Sequence, residues 1–163
     1  MTTSTIHCGY VPGCIGRIAE LHAQYYHQLV GFGLTFEAKV TRELTQFCEN
    51  YDKERDGLWL LINSGRVEGS IAIDGHGADG DGAHLRWFIT SDNARGNGNG
   101  ASLLMRAIEF CQHKNYRQIH LSTFEGLNAA RHLYEKFGFV LVDQKRGVQW
   151  GTEVNEQRFL RRA

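Results

Sequence analysis

The sequence predicts one α/β domain: a mixed, mostly antiparallel twisted sheet of about six to seven strands, with about four helices over both of its faces. Three observations predict it. The 163-residue chain suits one domain, spanning residues 1-163, and is too short for two ordinary ones. Short apolar or alternating runs interchange with stretches of three-and-four spacing, in the order β-α-α-β-β-β-α-β-α-β-β. Consecutive strand-like runs are separated by short turn signals, as hairpins require.

Each element has a local reason. Thr5 to Tyr10 is a short β-like run ended by Pro12-Gly13. From Cys14 the period changes, and Ile15, Ile18, His22, Tyr25, Tyr26 and Leu29 recur at helical spacing until Gly31 and Gly33 stop them. Thr35 can cap a second helix, with Phe36, Val40, Leu44 and Phe47 on one face. Leu58 to Ile62 and Val67 to Ile73 flank the turn Asn63-Ser64-Gly65 and read as a hairpin. The connection Asp74 to Gly82 reads as a mobile hairpin loop. It is acidic, but it lacks the ligand order and closing Glu of an EF-hand, so no metal is expected.

His84 to Thr90 is the next strand, with Leu85, Trp87 and Ile89 alternating against Arg86 and Phe88. A Gly-rich loop from Asn93 to Gly100 leads into a helix from about Gly98 to His113, whose apolar stripe is Leu103, Leu104, Ala107, Ile108 and Cys111. Arg117 to Thr123 is a strand. Asn128 can cap a helix carrying Leu133, Tyr134 and Phe137, and Gly138 fits the left-handed position past its end. Phe139 to Val142 and Val154 to Leu160 complete the sheet.

Composition excludes several classes. Lys and Arg total 18 and Asp and Glu total 18, without the basic excess of a nucleic-acid binder or of a surface held to anionic lipid. No apolar run approaches the roughly 18 residues of a membrane span. Met1 to Ile6 is polar and lacks the apolar segment of a signal peptide. The four cysteines, Cys8, Cys14, Cys48 and Cys111, show no C-x-x-C spacing. Buried thiols in a reducing cytoplasm are expected.

The segment richest in chemistry is Arg95-Gly96-Asn97-Gly98-Asn99-Gly100-Ala101-Ser102, between a strand and a helix. Alternate glycines let N–H groups approach a ligand without Cβ atoms in the way. The helix start adds a positive dipole end and unpaired donors, and Ser102 a hydroxyl. This is a pyrophosphate cradle. The P-loop pattern fails because no Gly-Lys-Ser/Thr follows, and the dinucleotide fingerprint fails in its glycine spacing. Glu125 stands where a ribose-binding acid would, but the 38 residues after it are too few for a second half-sheet.

Arg95-x-x-Gly98-x-Gly100 resembles the Arg/Gln-x-x-Gly-x-Gly/Ala signature of the GNAT N-acetyltransferase superfamily. The following strand and the stretch Ala129-Ala130-Arg131-His132-Leu133-Tyr134-Glu135-Lys136, with Gly138-Phe139, are similar to the acetyltransferase modules fused to MarR-type regulators in bacteria. The resemblance covers roughly residues 84 to 140, without the winged-helix half, and it implies acetyl-CoA as acetyl donor. It maps Phe88, Ile89 and Thr90 to the pantetheine arm, and Arg95, Gly96, Asn97, Gly98, Asn99, Gly100 and Ser102 to the pyrophosphate. Tyr134 matches the Tyr near the thioester sulfur. The family's Asn falls at Leu127, one residue before Asn128, which leaves Asn128 as either a cofactor contact or a helix cap.

The chemistry agrees. Acetyl transfer to an amine needs a neutral nucleophile, an oxyanion donor and a proton for the thiolate. Tyr134 is the expected acid and His84 the candidate base, with Glu68, Glu125 or an ordered water as rivals. His22, Tyr25, Tyr26 and His27 could line an acceptor pocket. The expected partners are acetyl-CoA and an unidentified amine, with no nucleic acid and no membrane; a homodimer stays open. A non-catalytic acyl-CoA sensor and a Rossmann-type NAD(P) enzyme are the competing readings.

Overall fold

The computed structural model describes residues 3–163; the part of the polar N-terminal stretch formed by Met1 and Thr2 lies outside them. The strands are β1 (Thr5–Cys8), β2 (Gly57–Asn63), β3 (Arg66–Asp74), β4 (Ala83–Thr90), β5 (Gln118–Phe124), β6 (Val140–Gly147) and β7 (Val154–Arg162). The helices are α1 (Cys14–Val30), α2 (Leu34–Glu49), α3 (Asn99–His113) and α4 (Asn128–Lys136), with one 3-10 turn at Asp92–Ala94. One seven-stranded sheet has the order β1-β2-β3-β4-β5-β7-β6. All neighbours are antiparallel except β4 and β5. That single parallel pair removes the doubly wound dinucleotide fold from consideration, because its sheet would be parallel throughout the binding half.

Helices cover both faces because apolar side chains leave the central strands on both sides. Trp59, Leu61, Ile71, Ile73 and Leu85 pack under Leu103, Leu104, Ala107 and Ile108 of α3, with Tyr134 of α4. Leu58, Leu60 and Ala72 point the other way, onto Ile18 of α1 and Phe36, Val40, Leu44 and Phe47 of α2. Burying a side chain such as Leu60 or Leu104 contributes about 1.5–3 kcal/mol. No helix among the described residues is long and apolar enough to cross a membrane.

Several boundaries differ from the sequence expectation. Gly33, not Thr35, holds the cap position of α2, and Leu127, not Asn128, that of α4; neither helix start has a side-chain cap. Asn128 is therefore the first residue inside α4. Strand β6 continues to Gly147 through Asp143, Gln144, Lys145 and Arg146, because an outer strand needs no apolar alternation. Gly138 has φ 92° and ends α4 as expected. All four cysteines are free: Cys14 and Cys111 are buried, Cys48 is half-buried and Cys8 is exposed.

Candidate active site

Strands β4 and β5 pair only at Ala83–Ile119 and His84–His120. Both continue beyond that seam, to Thr90 and Phe124, without a shared ladder. The wedge between them is the candidate site. A bulge lies on its β4 wall. The β3–β4 register steps from Ser70–Ile89 to Ala72–Arg86, so β4 carries one more residue than its partner. Trp87 holds φ 49°, a conformation that costs an L-residue about 1–2 kcal/mol. The bulge reverses the side-chain phase. Ala83, Leu85 and Phe88 pack on the α3 side, whereas Trp87 joins the α1–α2 core. The simple alternation of Leu85, Trp87 and Ile89 expected from the sequence is thereby corrected.

Two cavities meet in the wedge. The larger, of about 580 Å³, is lined by Tyr25, Tyr26, Phe88, Ile89, Thr90, Arg95, Gly96, Gly98, Gly100 and Ala101, and by Gly126 to Ala130. The N-termini of α3 and α4 therefore converge on one cleft, and neither has a side-chain cap to take up its N–H groups. A Cβ at Gly96 or Gly98 would meet no protein atom within 4 Å, so the space before the loop is open. Both residues have positive φ, 82° and 76°. The open space and the two uncapped helix starts fit a bound diphosphate.

The loop's side chains divide. Arg95 pairs with exposed Asp92, donates to the Thr90 carbonyl at 2.8 Å and lies 4.4 Å over the Tyr25 ring. Asn128 lines the cleft, whereas Asn97, Asn99 and Ser102 are not among its lining residues. Asn99 Nδ2 donates to the Ala94 carbonyl, and Ser102 Oγ donates back to the Gly98 carbonyl; each bond is 3.0 Å long.

The smaller cavity, of about 230 Å³, is lined by His22, Tyr26, Phe36, Lys39, Glu43, His84 to Phe88, Leu121 to Phe124, Leu127, Ala130, Tyr134, Gln149 and Trp150. Tyr26, Phe88, Leu127 and Ala130 line both cavities and mark their junction. Tyr134 is buried against Phe88, Phe139 and Phe159, and its hydroxyl takes no hydrogen bond from the described residues. Burial, and then the nearby Tyr26, push its pKa well above the usual phenol value, so the hydroxyl stays protonated.

His84 stacks on His120 with ring centroids 4.5 Å apart. Burial first, and then Arg86, His120, Arg158 and Lys39, lower its pKa to about 3, so the imidazole is neutral at physiological pH. His22 is buried, and its Nδ1 donates to the Ile18 carbonyl at 2.8 Å, which leaves Nε2 as an acceptor. Burial lowers its pKa to about 4. Of the four α1 residues named from the sequence, His22 and Tyr26 line this cavity, Tyr25 lines the larger one and His27 lines neither. Glu68 and Glu125 also line neither: Glu68 faces Arg17 and Arg66, and Glu125 takes a hydrogen bond from Asn155.

Sequence reading did not find Lys39, Glu43, Arg86, Gln149 or Trp150. Lys39 and Glu43 form an i,i+4 pair that reads as a solvated helix face. Gln149 and Trp150 sit in the β6–β7 loop, which Gly151 holds against Thr35 of α2. No local pattern marks them.

The model of the acetyltransferase (GNAT) family matches residues 17–139. No curated protein matches the sequence. Solved structures share the fold. An acetyltransferase from Streptococcus agalactiae has a TM-score of 0.78 at 18% identity, covering 98% of each chain. A ribosomal-protein-alanine N-acetyltransferase from Brucella melitensis gives 0.75 at 16% identity, over 98% of this chain and 99% of that one. A GNAT acetyltransferase from Elizabethkingia anophelis with acetyl-CoA bound gives 0.68 at 16% identity, over 98% of each.

Proposed function

Because the chain belongs to the acetyltransferase (GNAT) family, we propose that it moves the acetyl group of acetyl-CoA to a primary amine by direct attack on the thioester. One observation carries the reading: the unladdered wedge between β4 and β5 joins the cleft at the N-termini of α3 and α4 to a smaller cavity lined by His22, His84 and Tyr134. Acetyl-CoA supplies the acetyl carbon and a thiolate leaving group.

In this reading, Gly96, Gly98 and Gly100 with the N–H groups opening α3 hold the pyrophosphate. The free edge of β4 at Phe88, Ile89 and Thr90 pairs with the pantetheine amides, as one strand edge pairs with another. Arg95 fastens Thr90 and Tyr25 at the mouth and adds positive charge. The main chain at the Trp87–Phe88 bulge, unpaired with β3, donates to the carbonyl oxygen as it gains charge.

His84 accepts the hydrogen bond of the attacking amine. With a pKa of about 3 it does not retain the proton, which passes to cavity water. Tyr134 donates its O–H to the departing sulfur. A phenol this weakly acidic acts mainly by hydrogen bonding the developing thiolate. Overall one C–N bond forms and one C–S bond breaks; the amine gives up one proton and the sulfur gains one. Titration calorimetry with acetyl-CoA, CoA and NAD, followed by free-thiol release with an amine panel, tests the reading. Binding of CoA thioesters with amine-dependent thiol release supports it. Binding without release leaves a sensor, and binding of NAD alone rejects it.

A further inference from the structure

We infer that the acceptor is a small amine that also carries an acidic group, and that Arg86 and Lys39 receive that group in the smaller cavity. The inference rests on the acetyltransferase reading above and narrows it to a substrate class.

The ion count in the cavity is unequal. Glu43 is the only carboxylate among the lining residues, against Lys39 and Arg86. Its Oε2 is 3.0 Å from Arg86 Nη2, and its Oε1 is 3.0 Å from Lys39 Nζ. One carboxylate thus serves two cations, and one positive charge has no counterpart in the wall. Arg158 lies outside the lining, in register with the lining residue Ser122 on one side and with Asp143 on the other, and the excess is counted without it. The side chains that lower the pKa of His84 beyond burial, namely Arg86, His120, Arg158 and Lys39, are all basic residues.

Arg86 is also pre-set for an oxyacid. Its guanidinium lies 4.2 Å over the Trp87 ring, and its side chain is only 20% exposed, so the planar fork is held in place. The Glu43 contact engages one of its nitrogens and leaves other donors for a second oxyanion. An ammonium alone meets a net positive field here, whereas an amine with a carboxylate or phosphonate brings the missing charge. The volume of about 230 Å³, with Trp150 in its wall, suits a small molecule better than a peptide chain.

The test compares amines that differ only in the acid: phenylalanine with 2-phenylethylamine, methionine with 3-methylthiopropylamine, and 2-aminoethylphosphonate with ethylamine. Acetyl-CoA binding is measured first by calorimetry; its absence rejects the parent reading, not the specificity. With binding secured, at least one acid should exceed its neutral partner in kcat/KM by about tenfold or more. Arg86→Gln should bring that ratio to within about threefold while acetyl-CoA affinity stays within about twofold. Lys39→Gln, on a more exposed helix position, should reduce the ratio too and serves if Arg86→Gln melts early. The inference is overturned if neutral amines react as well as their acids, if both folded variants keep the full ratio, or if only a peptide N-terminus or lysine is acetylated. If no amine turns over, tryptophan fluorescence of the CoA complex is titrated with the three acids and their neutral partners. A change specific to an acid that Arg86→Gln abolishes upholds the inference, and no such change overturns it.

Discussion

The Ser70 hydroxyl donates a 2.6 Å hydrogen bond to the main-chain carbonyl of Trp87, the residue that holds φ 49° within β4. Ser70 is fully buried. One strand thereby clips the bulge of the next through a side chain, where the ladder between them is interrupted.

Ser70→Ala should loosen that clip. A buried carbonyl loses its donor at a cost of about 1–3 kcal/mol, measurable by urea unfolding. If the bulge places the donor for the carbonyl oxygen, kcat should fall by about tenfold or more, because small misplacements at a reacting centre are expensive. If the glycine loop carries the acetyl-CoA affinity, that affinity should change by less than about twofold. A destabilised variant with unchanged kcat would separate the bulge from the chemistry.

If Tyr134 hydrogen bonds the departing thiolate, Tyr134→Phe should lower kcat by roughly 10²-fold, the range for a positioned donor to a developing charge. The hydroxyl takes no protein hydrogen bond among the described residues, so its removal strands no partner and the melting temperature should stay near that of the parent chain. The ring keeps its contacts with Phe88, Phe139 and Phe159. A large fall in melting temperature with normal turnover would make the hydroxyl structural.

The glycines of the loop should separate binding from folding. At Gly100 a Cβ would stand 3.5 Å from Leu133 and Phe88, ordinary contact in a helical backbone. Gly100→Ala should therefore leave the protein folded, with the Kd for acetyl-CoA raised about tenfold or more by calorimetry. Gly98 has open space but φ 76°, so Gly98→Ala should weaken binding and also cost about 1 kcal/mol or more of stability. Tight binding by a folded double variant would remove the loop from the cleft's chemistry.

Stability should fall in mild acid. His22 is buried neutral with its pKa lowered from 6.5 to about 4. Between those values the unfolded chain binds the proton and the folded one does not. The stabilisation is therefore complete above about pH 6.5 and is lost as pH drops toward 4. His84, lowered to about 3, acts in the same direction. Urea unfolding should show His22 removing roughly 2 kcal/mol between pH 7 and pH 5. His22→Gln should flatten that part of the slope; an unchanged slope would show that other groups carry it.

What the sequence made legible was local chemistry. The hairpin around Asn63-Ser64-Gly65 and the glycine loop carry their signals in adjacent residues, and both stand where expected. The bulge at Trp87 was hidden, because an aromatic residue in a strand gives no sign of positive φ; the side chain that clips it, Ser70, lies on β3. Asn128 misled as a cap because its chemistry suits that position, while the chain turns into α4 one residue earlier. Lys39, Glu43 and Arg86 each read as solvated charge until α2 is laid across β4, which joins residues far apart in sequence.

The seam at Ala83–Ile119 and His84–His120 has a kinetic side. Joining it means closing a long stretch of chain through α3, and two residue pairs offset little of that entropy. Antiparallel β5, β7 and β6, by contrast, share an extended ladder of their own. The segment from β5 to β7 is therefore expected to pair within itself early, and to dock as Ile119, Leu121 and Phe159 join Leu103, Leu104 and Ala107 of α3 in one core. The wedge then marks a line along which the two blocks share apolar core but only two residue pairs of ladder, so the strand edges open to a guest molecule are those that folding leaves unpaired.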